Sequence, residues 1–294
     1  MRILTTLILL LILTVTFGQL TDEHVRINWK IKKKEIIAYR TIMSEIEETK
    51  FQGTNYMNSL MDSLGLKELS NLFDFAELTK QLKKESENYE TISTLQNSAD
   101  LIYVRMVRKL KDGTISTSTG FIDGITKGIQ FRGYLSKKGD IYSYYLKSQQ
   151  KNILALLFQL PSTKVKVGDS WSVDSQWFTA DQSFKCEKAE RVNQVTLEKL
   201  IIEKRDTIAL ISYNLRELME GETQIPWSKE VKKSRMTMTY KGVSEFNITQ
   251  GRWEKFAVIM DLETTGLQNI KQKILYSLTP YKLDKGDIEI LETD

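Results

Sequence analysis

The chain has 294 residues and carries 42 Lys and Arg against 38 Asp and Glu, with 41% hydrophobic residues. The formal net charge of +4 is small for this length. Nucleic-acid-binding proteins carry a concentrated basic footprint, so nucleic acid is excluded as a predicted partner. One cysteine, Cys186, permits no intramolecular disulfide, and with the single histidine, His24, it cannot form an ordinary His/Cys zinc site.

The first eighteen residues have the three parts of a secretory signal peptide. Arg2 supplies the positive charge, residues 3–17 form a short apolar core, and Gly18 is a small residue before the expected cut. A bilayer span needs ~20 apolar residues, so an uncleaved anchor is the less favoured alternative. We expect the mature chain to begin at Gln19 and to be exported, periplasmic or secreted, without a lipid anchor, since no cysteine lies near the cut.

Most of the mature chain has strand patterning, because apolar and polar residues alternate with period two. The runs are 25–32, 35–46, 101–109, 114–122, 128–135, 141–146, 171–177, 192–202, 207–215, 234–240, 243–249, 253–264 and 271–278. Gly113, Gly139 and Gly251 lie between runs, where a tight turn favours glycine. Sequential short strands with such turns predict an antiparallel meander.

Two segments interrupt the β pattern with helical periodicity. In the first, 56–87, the apolar residues near its start are Met57, Leu60, Met61 and Leu64. The second, 149–160, contains Leu154, Leu157 and Phe158 and ends before Pro161, as expected for a helix stop. If both helices cross one face of a curved sheet, these seven side chains line an apolar cavity; the alternative is that the helices only fill the core.

The predicted fold class is therefore α+β and mostly β: a curved antiparallel sheet, or sheets forming a half-barrel, with helices packed over one face. Residues 1–18 form the signal peptide and 19–294 a single β-rich globular region. Two similar curved-sheet units, at about 19–160 and 161–294, remain an open alternative, because each half has a glycine-turn hairpin followed by an aromatic strand.

Known catalytic patterns are missing from the sequence. His24 lies just after the signal, and no phosphate-binding glycine loop occurs. A pair of carboxylates such as Asp169 and Glu217 could serve a glycosidase, but the sequence shows no convergence of two acids. We therefore predict no catalytic residue, no metal site and no cofactor.

The segment 160–171, Leu-Pro-Ser-Thr-Lys-Val-Lys-Val-Gly-Asp-Ser-Trp, resembles a motif of secreted bacterial proteins built from repeated curved β-sheet units. More distantly, those are similar to the carriers of lipoprotein localisation, in which a half-barrel holds lipid or acyl chains beneath helices. The resemblance implies the curved fold and no catalytic residues, because the carriers are not enzymes. This chain departs from them in its length, in its insert at 56–87 and in lacking a lipobox cysteine.

These observations favour an exported, non-enzymatic binding protein of a bacterial envelope whose ligand is a lipid or another apolar molecule. The alternatives are an envelope interaction or scaffold module that binds another protein, and a carboxylate-based hydrolase. No transmembrane segment is expected after signal cleavage.

If the N-terminal segment is a signal peptide, the exported protein isolated from an expressing bacterium will begin at Gln19. N-terminal sequencing and intact mass measurement check this expectation. A chain that retains Met1 and fractionates with membranes would instead indicate an uncleaved anchor.

Overall fold

The computed structural model describes residues 23–52, 89–98, 100–110, 128–146, 151–178, 184–224, 230–266 and 269–285. These residues form a mostly β protein with one α-helix. That helix is far too short to cross a membrane. The predicted signal at 1–18 and the predicted helical segment at 56–87 lie outside the described residues.

The described residues contain eleven strands and one helix, α1. The strands are β1 (Ile36–Gln52), β2 (Tyr89–Ser98), β3 (Leu101–Leu110), β4 (Gly128–Ser136), β5 (Ile141–Leu146), β6 (Ser170–Trp171), β7 (Phe184–Glu203), β8 (Asp206–Gln224), β9 (Val231–Asn247), β10 (Arg252–Thr265) and β11 (Asn269–Pro280). Helix α1 spans Lys151–Phe158, between β5 and β6.

All eleven strands belong to one antiparallel sheet in the order β5-β4-β3-β2-β1-β11-β10-β9-β8-β7-β6. The chain runs outward from β1 to β5, crosses to the opposite edge, and runs back from β6 to β11. The first long strand therefore pairs with the last one, from Tyr39 opposite Pro280 to Gln52 opposite Asn269. Both halves of the chain thus contribute to one sheet that does not close into a barrel.

The crossing requires the sheet to be curved. Leu160 N donates to Lys138 O in the turn after β4, and Gly168 N donates to Leu197 O in β7, at 2.9 and 2.8 Å. Eight strand spacings separate β4 from β7, which in a flat sheet amounts to ~38 Å. The chain from Leu160 to Gly168 can span at most ~29 Å. In a curved sheet β4 and β7 lie close enough for the chain from Leu160 to Gly168 to connect them.

Antiparallel pairing places the start of β1, the end of β11 and the turns joining β2–β3, β4–β5, β7–β8 and β9–β10 at one end of the sheet, here called the lower end. The N-terminal segment crosses this end. Val25 forms a single bridge to Val165, Lys30 N donates to Gly251 O, and Asn97 Nδ2 donates to Ile31 O. This segment and the residues after α1 cover the lower end of the concave face.

The predicted fold class, a mostly β curved antiparallel sheet with a helix, is confirmed. The predicted strand at 35–46 overlaps β1 from Ile36 on, and those at 101–109, 128–135, 141–146, 253–264 and 271–278 fall within β3, β4, β5, β10 and β11. The runs 192–202 and 207–215 fall within the longer strands β7 and β8. The run 114–122 lies outside the described residues.

Four predicted strands differ from the structure. The run 25–32 alternates correctly, since Ile27, Trp29 and Ile31 are buried, but it makes one bridge instead of a ladder. The run 171–177 contains only the end of the two-residue β6. The runs 234–240 and 243–249 form one strand, β9, because Gly242 lies inside the ladder instead of at a turn.

Strand β2 has no counterpart among the predicted runs. Polar and apolar residues occur on both of its faces, and Ile92, Ser93, Thr94 and Leu95 are all buried. A strand covered on both sides loses the alternation on which period-two prediction relies.

Substitution of Gly139, with Gly168 as its matched control, tests whether the end of α1 packs against the β4–β5 turn. Both have φ near +90°, where an L side chain costs ~1–2 kcal/mol. A Cβ at Gly139 would also overlap the carbonyl oxygen of Phe158, whereas nothing lies within 4 Å of one at Gly168. We expect Gly168→Ala to lower the free energy of unfolding by ~1–2 kcal/mol and Gly139→Ala by a further ~1–3 kcal/mol.

Urea-induced unfolding measures both variants. Equal losses for the two would show that α1 does not press against the β4–β5 turn.

Candidate functional site

Helix α1 lies on the concave face of the sheet. Leu154, Leu157 and Phe158, three of the seven predicted cavity residues, are 0, 3 and 0% exposed and belong to the main core cluster. Ala155 and Leu156 are buried as well, so the helix is covered almost all round. Met57, Leu60, Met61 and Leu64, the other four, lie outside the described residues.

Two buried tryptophans hold the C-terminal end of α1. Trp253 Nε1 donates to Leu157 O at 2.7 Å, and Trp29 Nε1 donates to Phe158 O at 3.0 Å. The last carbonyls of a helix lack partners within the helix, so these indoles satisfy acceptors that burial would otherwise leave unpaired. An eight-residue helix is marginal alone and depends on such contacts.

The two indoles belong to an aromatic cluster at the lower end. Its rings touch edge to face or at a tilt, with centroids 4.9 to 6.3 Å apart. The members are Trp29, Tyr39, Phe158, Phe246, Trp253 and Phe256. Tyr39 Oη accepts a hydrogen bond from Trp253 N at 3.0 Å, and burial raises the pKa of Tyr39. These rings fill the lower end of the concave face, and we call them the aromatic seal.

The space between α1 and the sheet is almost filled where the structure describes it. A cavity of about 10 Å³ remains, lined by Thr41, Ile153, Leu156, Leu157, Tyr240, Phe256, Val258, Tyr276 and Ser277. That volume corresponds to about one water molecule. Leu157 therefore lines a space too small for an apolar ligand, and Leu154 and Phe158 pack in the core.

Beyond α1, the concave face of β8, β9 and β10 continues as an apolar surface that we call the methionine trough, formed by Met219, Met236, Met238 and Leu262. Strand register places Met219 opposite Met236, and Met238 opposite Leu262. Met238 is buried, whereas the other three are half-buried. Methionine side chains are flexible and adapt to irregular partners.

The trough was not predicted from the sequence, although the alternation of residues in β9 indicates that its methionines share one face. In 235–240, Arg-Met-Thr-Met-Thr-Tyr, the methionines and Tyr240 alternate with polar residues and therefore share one face.

Glu217 fastens the segment after β6 to the concave face. Its Oε2 accepts hydrogen bonds from Trp177 N and Phe178 N at 2.9 and 3.0 Å, and its Oε1 pairs with Arg191 Nε at 2.9 Å. Trp177 stacks on Tyr240 with centroids 4.5 Å apart. This buried carboxylate has a structural partner for both oxygens, and it positions the Trp177 ring between α1 and the methionine trough.

Polar groups of Tyr240, Tyr276 and Thr41 interrupt the apolar concave face close to α1. Burial raises the pKa of Tyr240, and the neighbouring Tyr276 raises it further. Burial also raises the pKa of Tyr276, while the adjacent Tyr240 and the Arg108 guanidinium oppose that shift. Thr41 Oγ1 is buried without a hydrogen-bond partner among the described residues, whereas the hydroxyls of Tyr240 and Tyr276 interact with each other.

The carboxylates considered for hydrolysis do not converge. The two buried acids among the described residues are Glu217, on the concave face, and Glu90, which pairs across the other face with Arg40 Nε at 2.8 Å. Opposite faces of a sheet cannot supply the two carboxyls of a glycosidase. Asp169 lies in the turn before β6, where its carboxylate accepts from Lys166 N.

His24 and Cys186 are both exposed, and no group of three or more His, Cys, Asp or Glu able to hold a metal occurs in the described part of the chain. A second hollow, of about 320 Å³, lies at the lower end between the N-terminal segment and the β2–β3 and β4–β5 turns. Lys30 and Lys137 line it with Ile31 and Ile102, but Lys30 Nζ already donates to Ile248 O at 2.8 Å.

Comparison with known proteins finds no matching family model, and neither a curated protein nor a solved structure is significantly similar to this chain.

Substitution of Glu217 tests how the post-β6 segment is held. Hydrogen bonds to a charged group contribute ~1.5–3 kcal/mol, so Glu217→Gln should lower the free energy of unfolding by about that amount. The matched control is Glu220→Gln on the same strand, because Glu220 is 36% exposed in its pair with Arg235 and should cost at most ~1 kcal/mol. The two free energies are measured by urea unfolding, and equal values would contradict the anchoring role of Glu217.

Proposed function

We propose that this protein is an exported, non-enzymatic binding protein that holds a lipid or another apolar molecule against the methionine trough. The observation that carries the proposal is the half-buried state of Met219, Met236 and Leu262 on the concave face. Beside α1 the same face is densely packed, so the region able to accept a ligand is the one beyond the helix.

The character of the trough supports an apolar ligand of variable shape. Binding sites for small molecules are concave and mainly apolar, with few polar groups. Methionines suit ligands that differ in length or branching, because an unbranched side chain repacks at low cost. The aromatic seal at the lower end keeps the opposite end of the same face closed to water.

A scaffold role receives weaker support from the convex face. Val243 and Ile259 are 50 and 38% exposed there, with Ala257 between them. Apolar side chains exposed in such small numbers are normal on monomeric proteins. The concave face is therefore the better candidate for function.

If the trough binds an apolar ligand, Met219→Gln combined with Met236→Gln will weaken binding of a fluorescent fatty acyl probe to the delipidated protein. Losing part of the apolar contact of two methionines, ~1.5–3 kcal/mol in total, corresponds to about a 10- to 150-fold rise in Kd. Thr237→Gln is the matched control, because Thr237 lies between two trough positions of β9 and faces the opposite side of the sheet.

Fluorescence titration measures the three proteins, and native mass spectrometry of the protein as purified identifies any ligand carried from the cell. A protein that arrives empty and binds no acyl probe would overturn the proposed function.

A further inference from the structure

The outer edge of β7, on the side away from β8, is open over much of its length among the described residues. The two-residue β6 pairs only with Val195 and Thr196, and Ser172 Oγ donates to Asn193 O at 2.9 Å. The side chains that precede Asn193 in the strand, from Lys185 to Val192, are all exposed. An open edge presents N–H and C=O groups with which another strand can pair.

The hydrogen bonds at the covered part of β7 show which residues face the open edge. Leu197 both donates to and accepts from the turn before β6, at 3.0 and 2.8 Å, so its N–H and C=O point outward. Outward and inward residues alternate along an antiparallel strand. The pairing with β8 has no register shift between Lys188 and Leu197. Ala189 and Arg191 therefore also present their N–H and C=O groups to the open edge.

The charges around Ala189 are complementary to a second copy of the same run. Glu187, Lys188, Ala189, Glu190 and Arg191 are in turn negative, positive, neutral, negative and positive. When the run pairs antiparallel with a copy of itself about Ala189, each Glu187 lies opposite an Arg191 and each Lys188 opposite a Glu190. Every charged residue then faces an opposite charge, and the two alanines face each other.

Only this register avoids repulsion at the centre of the ladder. In an antiparallel pair of identical strands, the residue on the twofold axis lies opposite its own copy. An axis at any of the other four positions of the run would place two like charges directly opposite each other, which is destabilising. The sequence of charges therefore selects the axis at Ala189.

The ion pairs of the single chain fit the same register. Lys188 Nζ pairs with Glu190 Oε1 at 2.8 Å along the strand, and both side chains are about half exposed. Residues directly opposite one another share a face, so the two copies would bring these four side chains together with alternating charge. An exposed pair contributes little by itself, whereas a network of charges can contribute more.

We propose that two copies of this protein associate through the open edges of β7, which pair antiparallel about a twofold axis at Ala189. The ladder is short, because Ser172 occupies Asn193 O on one side and a β-bulge between Cys186 and Lys188 interrupts the strand on the other. So short a ladder buries less than the ~1,200 Å² typical of stable complexes, and the dimer is therefore weak.

The dimer goes beyond the proposed function and does not depend on it. Ala189 lies opposite Met219, and Met219 lies opposite Met236, so the three residues form one row across the concave face. Pairing about Ala189 would place the methionine troughs of the two copies side by side.

Sedimentation equilibrium of the purified full chain, from ~10 µM to ~1 mM, suits a weak complex of this kind. The average mass is expected to rise with concentration from one chain toward two. A reducing agent prevents the exposed Cys186 from linking two copies covalently. A mass of one chain at every concentration would overturn the proposal.

A charge swap tests the register. Lys188→Glu and Glu190→Lys each create two like-charge pairs across the axis, so each should raise the dimer Kd at least ~tenfold. The combined variant K188E/E190K restores opposite charges and should recover most of the lost affinity. Lys199→Glu is the matched control, because it makes the same charge change at an exposed residue of β7 outside the pairing. An unchanged Kd in both single variants, or no recovery in the combined one, would overturn the register.

Proline at the axis tests the backbone pairing. Ala189→Pro removes an N–H that points away from β8, so the ladder with β8 keeps its hydrogen bonds, and proline is tolerated on an edge strand. This variant should remain folded, as measured by thermal unfolding, and stay at the mass of one chain. A folded variant that still dimerises like the wild type would show that β7 is not the interface.

Discussion

The passage of the chain from one edge of the sheet to the other determines the shape of this protein. Leu160 is hydrogen-bonded to the β4–β5 turn and Gly168 to β7, and the seven residues between them are too few to cross a flat sheet of this width. The sheet has to curve, and the curvature creates a concave face. Because α1 immediately precedes Leu160, the same passage sets the helix into that face.

The packing of the concave face changes along the strands, from rigid aromatic rings at the lower end to flexible methionines farther along. Near the lower end the large rings of Trp29, Phe246 and Trp253 fill the space, and indole N–H groups satisfy the last carbonyls of α1. Farther along β9, Tyr240 gives way to Met238 and Met236. Rigid aromatic packing suits a permanent seal, whereas flexible methionines suit a surface whose contacts change.

Much of the fold could be predicted because long stretches of chain have one buried and one exposed face. The strands β10 and β11 were correctly located for this reason, and the predicted helix at 149–160 contains α1, which ends at Phe158, two residues earlier than predicted. The sequence could not reveal β2, whose two faces are both covered, nor the role of residues 25–31, whose alternation reflects packing at the lower end without a ladder. The pairing of β1 with β11 depends on contacts more than 200 residues apart in the chain, which no local pattern encodes.

The candidate site was even harder to predict, because it also depends on contacts between residues far apart in the sequence. An apolar helix at 149–160 was predicted, but its surroundings decide whether Leu154, Leu157 and Phe158 line a cavity or fill one. The tryptophans that decide this, Trp29 and Trp253, are 224 positions apart. Met219, Met236 and Leu262, the half-buried residues of the methionine trough, come from three different strands, and no sequence motif links them.

Helix α1 occupies the part of the concave face next to the lower end, where it packs an apolar surface against the sheet. Leu154, Leu156 and Leu157 already supply that apolar surface, and they are part of the chain, so they fill the space without the entropic cost of association. The concave face beyond the helix is less densely packed, since Met219, Met236 and Leu262 are half-buried there. The boundary between the two regions is marked by Tyr240, which Trp177 covers on one side and whose hydroxyl interacts with that of Tyr276. The stacked Trp177 ring, held in place by two backbone hydrogen bonds to Glu217, therefore separates the densely packed part of the concave face from the half-buried methionines.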